Sequence, residues 1–149
     1  MVIEDQLTKL GLKLPNPPNP EGNYVGAKLS GTIAFTCGQN PFTTTKRGLI
    51  GRDLKTDEGY YAAQETCLNC LAQLKNLLGD LDRIKQVLQV VGFINSTEDF
   101  IDHDKILNGF TDLLVKLYGE IDGRPARVAI PIHHPGLEAI EAWMVVEVK

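Results

Sequence analysis

Arg127 and Glu141 are the residues of this chain best suited to chemistry. A planar guanidinium can take a carboxylate in a two-pronged grip, and a carboxylate beside it can hold a water and move its protons. They stand in Arg124-Pro-Ala-Arg127-Val-Ala-Ile-Pro-Ile132 and Glu138-Ala-Ile-Glu141-Ala-Trp-Met-Val-Val146, on either side of the turn-rich His133-His-Pro-Gly136. That layout predicts an antiparallel hairpin. In its second strand Ile140, Ala142, Met144, Val146 and Val148 alternate onto the core side, which turns Glu141 the other way. In its first strand Val128, Ile130 and Ile132 take the core side, so Arg127 is expected to point outward too. The two positions are symmetric about His134 and are expected to face each other. So placed they can bind a small carboxylic acid and activate a water. They can equally form a plain cross-strand ion pair, which is common on sheets.

The elements that must position this pair follow from periodicity. Ile3, Leu7 and Leu10 mark a short helix stopped by Gly11, and Pro15, Pro17, Pro18 and Pro20 make an extended connector. Strands are predicted at about 24–29 and 32–37, then a polar loop from Gln39 to Thr56 holding Arg47 and Arg52, both expected to be solvated. Leu68, Leu71, Leu74 and Leu78 predict a helix from about Tyr60 to Leu81. Residues 84–94 read as a strand with Val87, Val91 and Phe93 opposite Leu88 and Val90. A second helix from Phe100 to about Tyr118 buries Ile106, Leu107, Phe110, Leu113 and Leu117. The domain order is β-β-α-β-α-β-β, a two-layer α+β arrangement with both helices on one sheet face. Residues 1–21 read as a leader laid on the surface and 22–149 as the domain. The other sheet face carries Trp143 and Val145, with Ala129 and Val87 or Val91 expected to join them. A face so apolar is seldom left wet, and a homo-oligomer is the simplest cover.

The totals exclude several classes. The 149 residues carry a net charge of −4 with a pI near 5.3, and no basic face suggests nucleic-acid binding. No apolar run spans a bilayer, and the acidic start is unlike a signal peptide. An odd cysteine count, 3, in a chain large enough to need no staples suits a reducing cytoplasm. Cys67-Leu-Asn-Cys70 has C-x-x-C spacing but lies inside the predicted helix, so two small buried side chains explain it. His133 and His134 sit in a turn without thiol or carboxylate at ligand spacing, so no metal site is expected.

Several short motifs, in order, resemble the RidA/YjgF family over about residues 22–149. They are Asn23-Tyr24-Val25, Cys37-Gly38-Gln39-Asn40-Pro41, the helix containing Asn69-Cys-Leu, Gly92-Phe-Ile with Asp99-Phe100, Arg124-Pro-Ala-Arg127, and Pro135 with Glu141 six residues on. The leader resembles that of a branch with an N-terminal extension. The resemblance implies a chorismate-mutase-like fold, a homotrimer with clefts between subunits, and hydrolytic deamination of 2-imino and enamine acids to 2-keto acids and ammonia, with no cofactor. It implies that Arg127 grips the substrate carboxylate and Glu141 positions the water. Tyr24 would line the cleft, and the main chain at Gly38 and Ala129 would border it. Two positions depart from the family pattern: Ala129 stands where a cysteine is frequent, and Glu98 where an asparagine is. Non-catalytic metabolite binding and endoribonuclease activity are the alternatives.

Overall fold

The computed structural model describes residues 2–42 and 47–149, so part of the predicted polar loop, 43–46, lies outside the described residues. The order is α1 (Val2–Lys9), β1 (Ala27–Ser30), β2 (Ile33–Thr36), α2 (Thr56–Leu78), a 3-10 turn (Leu81–Arg83), β3 (Ile84–Asn95), α3 (His103–Asp122), β4 (Ala126–Ile132) and β5 (Ile140–Val148). After α1 this is the expected β-β-α-β-α-β-β order. Five strands form one sheet in the order β1-β2-β5-β3-β4.

Both helices bury apolar stripes against that sheet. Leu68, Leu71, Leu74 and Leu78 of α2 meet Ile106, Leu107, Phe110, Leu113 and Leu117 of α3 over the sheet. Each such side chain contributes roughly 1.5–3 kcal/mol on leaving water. The helices run close because Gly109 has no side chain: a Cβ there would fall on the backbone of Tyr60. Gly79, at φ 80°, ends α2 in a conformation that favours glycine. α3 begins at His103, later than predicted, and Phe100 packs edge-on against the His103 ring, centroids 5.1 Å apart. Cys67 and Cys70 are fully buried inside α2.

The C-terminal hairpin does not form. β5 pairs with β2 on one side and β3 on the other, while β4 lies beyond β3 at the sheet edge and runs parallel to it. The chain after β4 therefore passes over the end of β3 before returning as β5. Arg127 lies beside Val90, which is buried under the helices, and Val128 lies beside Val91 on the opposite face. The phase of β4 is thus the reverse of the expectation. Arg127 and Ala129 face the helices, with Ala129 packed against the core, while Val128 is 45% exposed.

In β5 the predicted phase holds: Ile140, Ala142, Met144, Val146 and Val148 are all buried. Its partner β3 is less regular. Their register shifts between Ile84 and Gln86 and again between Val87 and Gln89. Two bulges let Ile84, Val87 and Val90, three residues apart, all point into the core. Val87 therefore belongs with Val90, not with Val91. The uncovered face carries Val91, Phe93, Trp143, Val145 and Val128, with the Phe93 and Trp143 rings 5.5 Å apart.

The leader is fixed to the domain at several points. The Val2 and Ile3 amides donate to the Asp82 carboxylate at 2.8 and 2.9 Å, Ile3 and Leu7 are buried, and Leu10 is exposed. Glu4 pairs with Lys75. Farther along, the buried Gln73 donates through Nε2 to the Pro18 carbonyl at 2.7 Å. The stretch between 39 and 56 is less polar in its packing than its composition suggests, because Leu49, Ile50 and Leu54 are buried.

Candidate functional site

Glu141 is the second residue of β5 and points to the face away from the helices, opposite Phe93 of β3. Just above it the segment after β2 is pinned down. Gln39 and Ala142 exchange main-chain hydrogen bonds at 2.9 and 3.0 Å. The Asn40 side-chain amide donates to the Ile140 carbonyl at 3.2 Å, and that of Asn69 donates to the Asn40 carbonyl at 2.8 Å. These bonds lay the main chain of Gly38 against the Glu141 carboxylate, so close that a Cβ on Gly38 would overlap Oε1.

Here the chain opens into a cleft of about 370 Å³ lined by Gly38, Glu141, Asn40, Asn69, Glu138 and Tyr24, among others. Three of the expected site residues, Tyr24, Gly38 and Glu141, thus share one cavity. Tyr24 reaches it from a bend before β1, not from a strand. It is 50% exposed, and its hydroxyl accepts from the Glu21 amide at 3.1 Å. Glu138 at the rim pairs with Arg47 at 3.0 Å, while the Arg47 side chain itself stays largely solvated, as expected.

Cys37 sits at the back of this region. Burial pushes its thiol up from the ordinary range; the Gln39 amide, donating to Sγ at 3.0 Å, opposes that shift, and the negative charge of Glu141 adds to it. A thiol held in its protonated form is a poor nucleophile.

Arg127 does not face Glu141. Its guanidinium lies on the helix side of the sheet edge, 20% exposed. There Nη1 donates to Thr111 Oγ1 at 2.8 Å and Nη2 to the Asp104 carbonyl at 3.1 Å. It borders a separate groove of about 560 Å³ with Asn108, Asp112, Lys116 and Arg124. Within one chain, therefore, the expected carboxylate grip and the expected water-handling acid occupy opposite faces of the sheet, on strands separated by β3. Ala129, also on β4, keeps to the Arg127 side and lines neither cavity. Glu98 is exposed on a third, shallower surface with Ser96, Phe100, His103 and His133. In that surface Ser96 Oγ lies 2.9 Å from His103 Nε2 and the Ser96 carbonyl 3.0 Å from His133 Nδ1.

The residues that hold this arrangement are mostly ones with no sequence signal. Thr111 reads as an ordinary helical position, and Asn69 as part of a short motif. Only the tertiary contacts give them their roles. Among the described residues no group of three or more His, Cys, Asp or Glu is placed to hold a metal ion, and no helix is long and apolar enough to cross a membrane.

Comparison with known proteins fits this architecture. A family model described as "YjgF/chorismate mutase-like, putative endoribonuclease" matches residues 4–138. Protein TCP17 of Trypanosoma cruzi is 36% identical over 151 residues, covering 99% of this chain and 94% of that protein. A solved Shewanella oneidensis structure bearing the same endoribonuclease designation is 33% identical, with a TM-score of 0.92, and covers 98% of this chain and 99% of its own. That coverage takes in the leader. RidA from an Antarctic Psychrobacter shares the fold alone, at 20% identity and a TM-score of 0.59, over 89% of this chain and 94% of its own. The chain belongs to the RidA/YjgF family and has its chorismate-mutase-like fold.

Proposed function

We propose that the chain is a deaminase that hydrolyses reactive 2-imino and enamine acids, in sites each assembled from two protomers of a homotrimer. The observation that carries this reading is the separation of Arg127 from Glu141 in the single chain. Glu141, Gly38 and Tyr24 line an open cleft on the uncovered sheet face, and Arg127 is held at the β4 edge. A head-to-tail interface, in which the β4 edge of one protomer meets the cleft of the next, would unite them. Rotational closure of such an interface gives a ring. The apolar face formed by Val91, Phe93, Trp143, Val145 and Val128 provides surface for that contact.

In this site the neighbouring protomer's Arg127 binds the substrate carboxylate. Glu141 holds a water and takes one proton from it as the oxygen attacks the electrophilic imine carbon. The tetrahedral adduct carries the former imine nitrogen and a hydroxyl. Glu141 returns the proton to nitrogen and then relays the hydroxyl proton to it as well, so that ammonia departs with the C–N electron pair as the keto group forms. The sum is imino acid plus water giving keto acid plus ammonia. Positioned acid–base help of this kind is worth roughly 10²–10⁴-fold. Three unpaired thiols suit a reducing cytoplasm. The endoribonuclease in the family's designation gains nothing from this cleft, where Glu21 and Glu141 would repel phosphates.

The test is complementation. Arg127→Ala and Glu141→Gln are each expected to abolish ammonia release from 2-aminoacrylate generated in situ. Unfolding and refolding an equal mixture should restore roughly a quarter of wild-type activity, because some sites then combine two intact halves. Failure of the mixture to recover would reject the two-protomer site. Retained keto-acid binding without turnover in the wild type would make the protein a metabolite-binding trimer instead.

A further inference from the structure

Part of the cleft's lining is made by neither the sheet nor the helices. It comes from the leader, whose Pro18, Asn19 and Glu21 line the same cavity as Tyr24, Gly38 and Glu141. This wall is fixed. α1 is buried through Ile3 and Leu7, Pro18 is tied to Gln73 on α2, and the Glu21 amide donates to the Tyr24 hydroxyl. Pro15, Pro17, Pro18 and Pro20 restrict the backbone between these anchors. A segment so stiff acts as a preformed surface and not as a flap.

Its chemistry is one-sided. Of the three carboxylates lining the cavity, Glu138 is already neutralised by Arg47. Among the described residues Glu21 and Glu141 have no ion-pair partner, and no Lys or Arg lines the cavity. Glu141 is occupied by the reacting centre in the proposed reaction. Glu21 is left, in the leader's part of the lining together with Asn19, as the carboxylate that the side chain of a bound 2-imino acid would meet if it extends away from Glu141.

We infer that the leader is the specificity wall of the site, and that Glu21 selects 2-imino and 2-keto acids whose side chain ends in a cationic group such as a guanidinium. This rests on the deaminase reading for the orientation of the ligand. A carboxylate at a partly open cleft adds modestly to affinity for a cation, about twofold to fivefold. It also penalises an anionic side chain, so the discrimination between the two is larger than either effect alone.

The experiment compares three keto acids by calorimetry on the assembled full-length protein: 5-guanidino-2-oxopentanoate, the neutral 2-oxohexanoate and the anionic 2-oxoadipate. The corresponding imino acids, made in situ by an amino-acid oxidase, give kcat/KM. The guanidino compound is expected to bind about twofold to fivefold tighter than the neutral one, with the anionic one weakest. Glu21→Gln should bring the guanidino and neutral acids to equal affinity, and Glu21→Asp should retain part of the preference. Equal or tighter binding of the neutral or anionic acid, or a preference that survives Glu21→Gln, overturns the inference. If no imino acid is turned over, the deaminase reading fails, while the binding series still decides the role of Glu21.

Discussion

A Cβ on Gly38 would fall on Oε1 of Glu141, so it is the missing side chain at 38 that lets this carboxylate lie against the main chain of the 37–41 segment. The obstructing atom is the end of a mobile side chain. Gly38→Ala is therefore expected to displace the carboxylate without unfolding the protein. Thermal stability should change little, within about 0.5 kcal/mol, while kcat/KM falls by roughly 10²-fold, as an ångström-scale misplacement of a reacting group can cost. Parallel melting and ammonia-release measurements check it. Equal losses in both would mean that the glycine serves packing alone.

Thr111 sets the position of Arg127. Its hydroxyl accepts from Nη1 at 2.8 Å and donates to the Leu107 carbonyl at 3.4 Å. The Asp104 carboxylate, largely exposed and 3.5 Å from Nη2, adds little. Thr111→Val keeps the shape and removes the acceptor, so the guanidinium loses its anchor on α3. The expected result is a several-fold rise in KM, with kcat much less affected and stability lowered by about 1 kcal/mol. Thr111→Ser should restore the wild-type KM. No rescue by serine would show that the methyl packing matters and the hydroxyl does not.

Much of this fold was legible in the sequence, and the errors have physical causes. β5 alternates cleanly because one of its faces lies wholly under the helices, from Ile140 to Val148. The leucine stripe of α2 was readable for the same reason. β4 misled because its large aliphatic residues, Val128 and Ile130, lie on the face away from the helices, while Arg127 and the small Ala129 face α3. Hydrophobicity there follows the uncovered face and not the monomer core. In β3 two bulges replace a spacing of two by a spacing of three across Ile84, Val87 and Val90, and no residue type announces a bulge of this kind. The hairpin failed because nearness in sequence favours pairing, yet β3 already occupies the place beside β5. Of the candidate site, Tyr24, Gly38 and Glu141 share one cavity, while the leader's part in lining it and the contact of Thr111 with Arg127 came only from the packing.

Trp143 reports on assembly because it is the only tryptophan in the chain. It lies on the uncovered face beside Phe93, and Val128 on the same face is 45% exposed. If protomers associate through this face, Val128→Glu places a charge in a desolvated contact, which costs several kcal/mol when unpaired. The variant is expected to run as a folded monomer by light scattering, with Trp143 emission shifted to the red and ammonia release lost. A Val128→Glu protein that keeps the wild-type mass would move the interface elsewhere.

Alkaline conditions should destabilise the fold through its buried weak acids. Burial pushes the Cys70 thiol up from 9.0 to about 12, and it pushes Cys67 well up in the same direction. Tyr60 rises from 10.0 to about 12, first through burial and then through its hydrogen bond to Asp112, 2.7 Å long. In each case the native state keeps a proton that the unfolded chain releases. The stabilisation is complete below pH 9 and is lost progressively as the pH climbs toward 12. Urea midpoints should hold level to about pH 9 and then fall, and the native thiols of Cys67 and Cys70 should resist alkylation at pH 8 until the protein is unfolded. Replacing both cysteines by alanine removes two of the groups that drive this linkage, so the fall above pH 9 should be shallower, leaving the contributions of Tyr60 and of Tyr118, whose phenol is likewise pushed up chiefly by burial. An unchanged slope in that variant would assign the alkaline sensitivity to the tyrosines alone.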